Sequence, residues 1–159
     1  MKMFKTTRED WYFIVPSSLI FFFALIISVW DFIIIQKANY GIINIIGVIL
    51  FLTGLIIRLI GKRTLGRYYS YGLKTLPDHK LIKHGIYKHI RHPIYLAIIL
   101  YGMGIPMFFS SLYGFLIMLC LIPLIFYRIK IEEKMLLNKF GEEYRDYMEK
   151  SKKLIPFVF

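Results

Sequence analysis

The chain has one cysteine, only ten acidic residues and little charge of either sign across long stretches. Cys120 has no second thiol to pair with, so a disulfide scaffold is excluded. Charged residues make up 19% of the sequence, against about 25% in an average soluble domain. Hydrophobic residues make up 57%, against roughly 45–50%, which excludes disorder and a collagen-like fibre. A soluble fold of 159 residues has too much surface for its volume to hide that excess. The acids face 21 Lys+Arg, a formal net charge of +11. A soluble nucleic-acid binder would not alternate its basic residues with long uncharged runs, so no nucleic-acid partner is expected. Length and composition together describe one domain of the membrane class.

The uncharged runs have lengths that suit a bilayer. Tyr12 to Trp30 is 19 residues without a charge, close to the roughly 20 that cross an apolar layer of about 30 Å. Lys2, Lys5 and Arg8 precede it as in a signal peptide, but Glu9 and Asp10 interrupt the basic region and no small-residue cleavage pattern follows. The run is therefore read as a retained span over residues 12–30. A second span covers 41–60, with Arg58 near its end. Pro93 to Tyr127 is 35 residues without a charge, slightly short of the roughly 40 needed for two crossings. Pro106, Ser110 and Ser111 lie near its middle, which predicts a tight hairpin with spans over 93–109 and 111–128. Its helices are expected to extend into the flanking basic segments. The expected fold is all-α: a multi-pass membrane protein with about four transmembrane helices, the last two a hairpin.

Charge placement orients these spans. The loop at 61–92 carries eight basic residues against Asp78 alone, whereas residues 31–40 hold only Asp31 and Lys37. The positive-inside bias puts the 61–92 loop in the cytoplasm, and four crossings then put both termini there. Much of that basic charge serves topology and contact with lipid head groups. Ile131, Met135, Leu136 and Phe140 recur at helical spacing, so the tail at 129–159 is predicted to carry an amphipathic cytoplasmic helix.

All four histidines, His79, His84, His89 and His92, fall within fourteen residues. Only His89 and His92 have a helical metal-pair spacing, and no metal site is expected. The stretch DHKLIKHGIYKHIRHPIY says more. Gly85 is free to take positive φ. Pro93 fixes a helix start, which places Arg91, His92 and Tyr95 beside free N–H groups suited to an anion. Tyr87 and Tyr95 add hydroxyls and flat aromatic surface, or else belong to an interfacial aromatic belt. Downstream, Arg128 and Glu132 share a helix face at i,i+4, where a salt bridge of a few tenths of a kcal/mol is the minimal reading. Ionisable groups at a membrane boundary are also functional candidates. These residues predict a pocket for a small charged ligand between 79–95 and 128–133.

HKLIKHGIYKHIRHPIY, an apolar hairpin, RIKIEEKMLLNKFGEEYRDY and a closing IP occur in that order. The ordered set, from about Leu52 to Phe157, resembles the isoprenylcysteine carboxyl methyltransferase family, within the wider group that includes phospholipid N-methyltransferases. The resemblance implies an integral membrane enzyme that uses S-adenosylmethionine without a Rossmann domain and releases S-adenosylhomocysteine. It implies cofactor contacts at His79, Lys80, Leu81, Ile82, Tyr87, His92, Pro93, Ile94, Tyr95 and Glu132. It further implies that Arg128 meets the carboxylate of the acceptor, with Arg58 a second candidate. The acceptor is expected to be lipidic or prenyl-like, methylated on a carboxylate oxygen or on an amine. Ala97 stands where the family usually has glycine, and Leu55 where eukaryotic members carry an acid. The competing readings are an NADPH-dependent enzyme like the sterol reductases, which share a related R-H-P-x-Y segment, and a non-enzymatic lipid-binding membrane protein.

Overall fold

Backbone groups in an apolar layer must bond within their own segment, which favours helices. The computed structural model describes residues 8–36, 40–69 and 80–155. Helix α1 covers Arg8–Asp31, α2 Ile42–Leu65, α3 Pro93–Phe108, α4 Leu112–Leu119, α5 Leu121–Phe140 and α6 Glu142–Lys150. Among the described residues the single β pairing is a parallel bridge between Ile90 and Lys152. Among the described residues three apolar stretches are long enough to cross a membrane: Asp10–Ile34, Ile42–Tyr68 and Leu112–Phe140. The last runs through α4 and α5, which part at Cys120. The ring of Pro123 removes the bond that the Leu119 carbonyl would have received and so interrupts the helix there.

The four expected crossings thus divide into three long helices and one short one. With 16 residues, α3 spans only about 24 Å. The hairpin turn falls where Pro106, Ser110 and Ser111 predict it, between α3 and α4. The expected extension into basic sequence occurs on one side only. Helix α5 runs on to Phe140, so the first half of the predicted tail helix continues the helix of the third apolar stretch. Helix α3 begins at Pro93 with His92 as its N-cap.

Small residues and buried amides lock the bundle. Gly47, Gly54 and Gly61 recur every seven residues along α2 and are buried. A Cβ at Gly54 would lie 2.9 Å from the Ala97 carbonyl, and one at Gly47 2.8 Å from that of Gly104. Ala97 is itself fully buried, so the seam tolerates one methyl on the α3 side. Such close backbone approach is how helices associate where lipid removes the hydrophobic drive. At the turn end, Asn44 Nδ2 donates to the Phe108 carbonyl (2.6 Å) and Ser110 Oγ (2.9 Å). Ser111 Oγ donates to Asp31 at 2.5 Å and accepts from Gly114 N at 2.9 Å. Asp31 is therefore buried instead of lying in an open connection.

At the opposite end Gly141 separates α5 from α6 with φ +54°, and nothing lies within 4 Å of where its Cβ would be. Only backbone strain opposes a side chain there, so Gly141→Ala should cost about 1–3 kcal/mol. A thermal melt in detergent checks this; an unchanged midpoint would refute the glycine-dependent break.

Candidate active site

The sequence that follows Gly141 returns to the basic loop. Tyr144 and Tyr147, at i and i+3 on α6, point inward and are buried. Tyr147 Oη donates to the Tyr87 carbonyl at 2.6 Å. Residues 151–153 then lie alongside 89–92: Arg91 N donates to Lys152 O (2.8 Å), His92 N to Lys153 O (3.1 Å) and Lys152 N to His89 O (2.9 Å). Side chains reinforce the pairing. Arg91 Nη1 donates to the carbonyls of Met148 and Ser151, and Nε to Glu133 Oε1 at 3.1 Å. His92 Nε2 lies 3.3 Å from the same oxygen, and Lys153 Nζ 3.6 Å from Oε2. One buried carboxylate on α5 thus ties the loop to the tail. Gly85 has φ +60°, as its position in the loop predicts, and brings the chain close to Thr64 of α2.

Beside this clasp lies a polar corner at the end of the apolar bundle. Leu121, Ile125 and Arg128 follow one buried face of α5, and Glu132 extends it by another turn. Arg128 is 3% exposed and Asp10, on α1, is 0% exposed. The Arg128 Nη2 to Asp10 Oδ1 distance is 2.7 Å. The guanidinium also stands 5.3 Å over the Phe13 ring, and Phe13 meets Tyr95 edge to face at 6.2 Å. The Tyr95 hydroxyl faces both the Glu132 carboxylate and the Arg128 guanidinium. Burial, then Glu132, pushes the Tyr87 hydroxyl well above its ordinary pKa. Burial pushes Tyr144 in the same direction, with Glu133 and Glu132 adding to it. Burial raises Tyr147 to about 12, against the opposing charge of Arg91. All three hydroxyls are therefore protonated near neutral pH and able to donate. The Tyr144 hydroxyl is buried with no hydrogen-bond partner among the described residues.

The residues singled out in the sequence divide by location. Tyr95, Arg128 and Glu132 converge on the corner, with Tyr87 electrostatically coupled to Glu132. His92 borders it through the Tyr95 ring, 5.8 Å away, but its ring nitrogen turns to Glu133. Pro93 and Ile94 face α2 at Gly61. Lys80 is exposed, and Leu81 and Ile82 are half-buried. His79 lies outside the described residues. Arg58 donates to Tyr101 Oη at 2.9 Å, between α2 and α3. Asp10, as the partner of Arg128, and Tyr144 take part from outside the predicted pocket, and Glu133, within its 128–133 stretch but given no role there, is the hub of the clasp. For Asp10 a signal existed: an acid at the edge of one span calls for a cation at the edge of another.

A sequence model described as the isoprenylcysteine carboxyl methyltransferase (ICMT) family matches residues 46–138. The chain belongs to this family. That match takes in α3, α4 and nearly all of α5, and so includes Tyr95, Arg128, Glu132 and Glu133. Asp10, Tyr144 and the tail lie outside it. Two relatives are named protein-S-isoprenylcysteine O-methyltransferase. The one from Saccharomyces cerevisiae is 32% identical over 118 residues, covering 72% of this chain and 49% of that protein. Form A from Arabidopsis thaliana is 29% identical over 125 residues, covering 77% of this chain and 63% of that protein. A solved structure titled as the eukaryotic intramembrane Ras methyltransferase ICMT shares the fold, with TM-score 0.72 and 24% identity. It covers 98% of this chain and 55% of that one. The chain therefore spans about half to two-thirds of these relatives' lengths.

Proposed function

We propose that the protein is an S-adenosylmethionine-dependent methyltransferase acting at the membrane surface on the carboxylate of a lipidic or prenyl-like acceptor. The observation that carries this reading is the convergence of Tyr95, Glu132 and Arg128 where α5 leaves its uncharged run, in a chain of the ICMT family. In this reading the loop at 80–92, the end of α5 and the tail face the cytoplasm. Cofactor then enters from water and acceptor from lipid.

The donor set fits the cofactor. A sulfonium and an ammonium call for a carboxylate and aromatic faces, which Glu132, Tyr87 and Tyr95 supply. Ribose and adenine call for hydroxyl and backbone partners, and the unpartnered Tyr144 hydroxyl is one buried group able to serve. Lys80, Leu81, Ile82 and the helix start at His92 to Ile94 complete the cofactor side, with His79 as an expected further contact. When bound, S-adenosylmethionine supplies an electrophilic methyl group on a positive sulfur.

The protein's part is alignment. A guanidinium orients a carboxylate through two parallel N–H donors, and Arg128 provides it directly after the uncharged run. The Tyr95 hydroxyl couples Arg128 to Glu132, so acceptor and cofactor sides share one rigid link. The acceptor anion already carries the attacking electron pair, so no covalent enzyme intermediate is required, and approximation supplies most of the rate. Arg58 is the second candidate for the acceptor, deeper along α2.

Calorimetry of S-adenosylhomocysteine with detergent-purified protein tests the reading. Binding is expected, and Glu132→Ala should weaken it by about tenfold, roughly 1.4 kcal/mol. Transfer of labelled methyl to a prenylated cysteine is expected in the same preparation. Failure to bind S-adenosylhomocysteine overturns the proposal.

A further inference from the structure

The arginine proposed for the acceptor already has a carboxylate against it. Asp10 approaches Arg128 Nη2 at 2.7 Å, and both side chains are almost wholly buried. Asp10 comes from the first turn of α1, outside the segment that matches the family. The α1 side also supplies Phe13, whose ring lies under the guanidinium and against Tyr95. One end of α1 thus covers the guanidinium on two sides.

We infer that Asp10 is a specificity-determining residue that competes with the carboxylate of the acceptor for Arg128. This rests on the methyltransferase reading, in which Arg128 meets that carboxylate. A guanidinium edge that binds one carboxylate at 2.7 Å has no room for a second on the same N–H group. An anionic acceptor must therefore displace Asp10 from that N–H group. An acceptor without charge meets no such competition, because it leaves the ion pair intact. The contest is for the N–H donors of Arg128, so it acts on acceptor affinity, while Glu132, Tyr87 and the loop hold the cofactor side in either state. A pair closed nine-tenths of the time raises the apparent dissociation constant of the acceptor about tenfold.

Asp10→Asn tests this, because the amide keeps the shape and one acceptor oxygen but loses the charge. The probes are S-farnesylcysteine with a free carboxylate and its uncharged carboxamide. Asp10→Asn should tighten the free acid by about fivefold to tenfold and leave the carboxamide and S-adenosylhomocysteine unchanged. Free-acid affinity that is unchanged or weaker, with S-adenosylhomocysteine still bound, overturns the inference and makes Asp10 a brace for Arg128. Hydrogen exchange on the wild-type protein gives a second reading if the variant does not fold. Saturating free acid should speed exchange at residues 10–16, and exchange that is unchanged or slowed overturns the inference. Farnesylcysteine binding is read without turnover, so loss of S-adenosylhomocysteine binding would sink the methyltransferase reading and leave the competition measurable.

Discussion

Glu133→Ala lowers the stability of the protein by about 3–5 kcal/mol, the range for removing one member of a buried charged network. The side chains of Arg91 and His92 are 8% and 3% exposed, and both turn to the same Glu133 oxygen. Removing that oxygen leaves the Arg91 guanidinium and the His92 ring under protein without their shared acceptor. Lys153, at 30% exposed, turns to water at little cost. In a chain of this size the loss corresponds to a fall of about 6–20 °C in the thermal midpoint. Glu133→Gln keeps an acceptor oxygen and should fall less, and Lys153→Ala should move the midpoint hardly at all. Hydrogen exchange locates the damage: the amides of Arg91, His92 and Lys152 should lose protection while those of α2 keep it. Equal melting of Glu133→Ala and wild type would show that the backbone pairing alone holds the clasp.

Arg128→Ala should reduce kcat/KM toward a carboxylate acceptor by about 10²–10³-fold, the usual cost of deleting one preorganised electrostatic donor. S-adenosylhomocysteine affinity should change by less than about threefold, because Glu132, Tyr87 and the loop remain. That split is the diagnostic feature: equal losses in binding and turnover would move Arg128 to the cofactor side. Arg128→Lys should recover only part of the activity, since an ammonium keeps the charge but not the planar pair of donors. The single alanine variant also leaves Asp10 buried without its cation, which lowers stability. Asp10→Asn combined with Arg128→Ala should restore the thermal midpoint while the activity stays lost. This combination separates a damaged site from a damaged fold.

Much of this architecture is legible in residue order. Pro93 marks the start of α3, the Pro106–Ser111 stretch marks the turn, and the uncharged runs mark α1 and α2. What sequence spacing conveys poorly is which of two neighbours points where. Glu132 and Glu133 are adjacent, yet about 100° apart on the helix. One therefore faces Tyr95, while the other faces Arg91 and His92. The i,i+4 rule names Glu132 as the mate of Arg128, but helix packing brings Asp10 against it from 118 residues away. Nor does periodicity reveal the contact of residues 151–153 with 89–92, since so short a pairing has no repeat to detect. The unequal division of the 93–127 run also depends on tertiary placement: α3 stays short, and α5 continues past the last apolar residue into charged sequence.

The clasp also sets an order of events during biosynthesis. Arg91 and Ser151 are 60 positions apart, which at 5–20 residues per second is roughly 3–12 s of translation. Early in that interval α3 is completed and its seam with α2 is in hand, Glu133 follows Arg91 by 42 positions, and the Met148 and Ser151 carbonyls come only after 57 and 60. The membrane bundle is thus built first, and the surface that reads charge is closed afterwards, by residues 148–153 that follow α5.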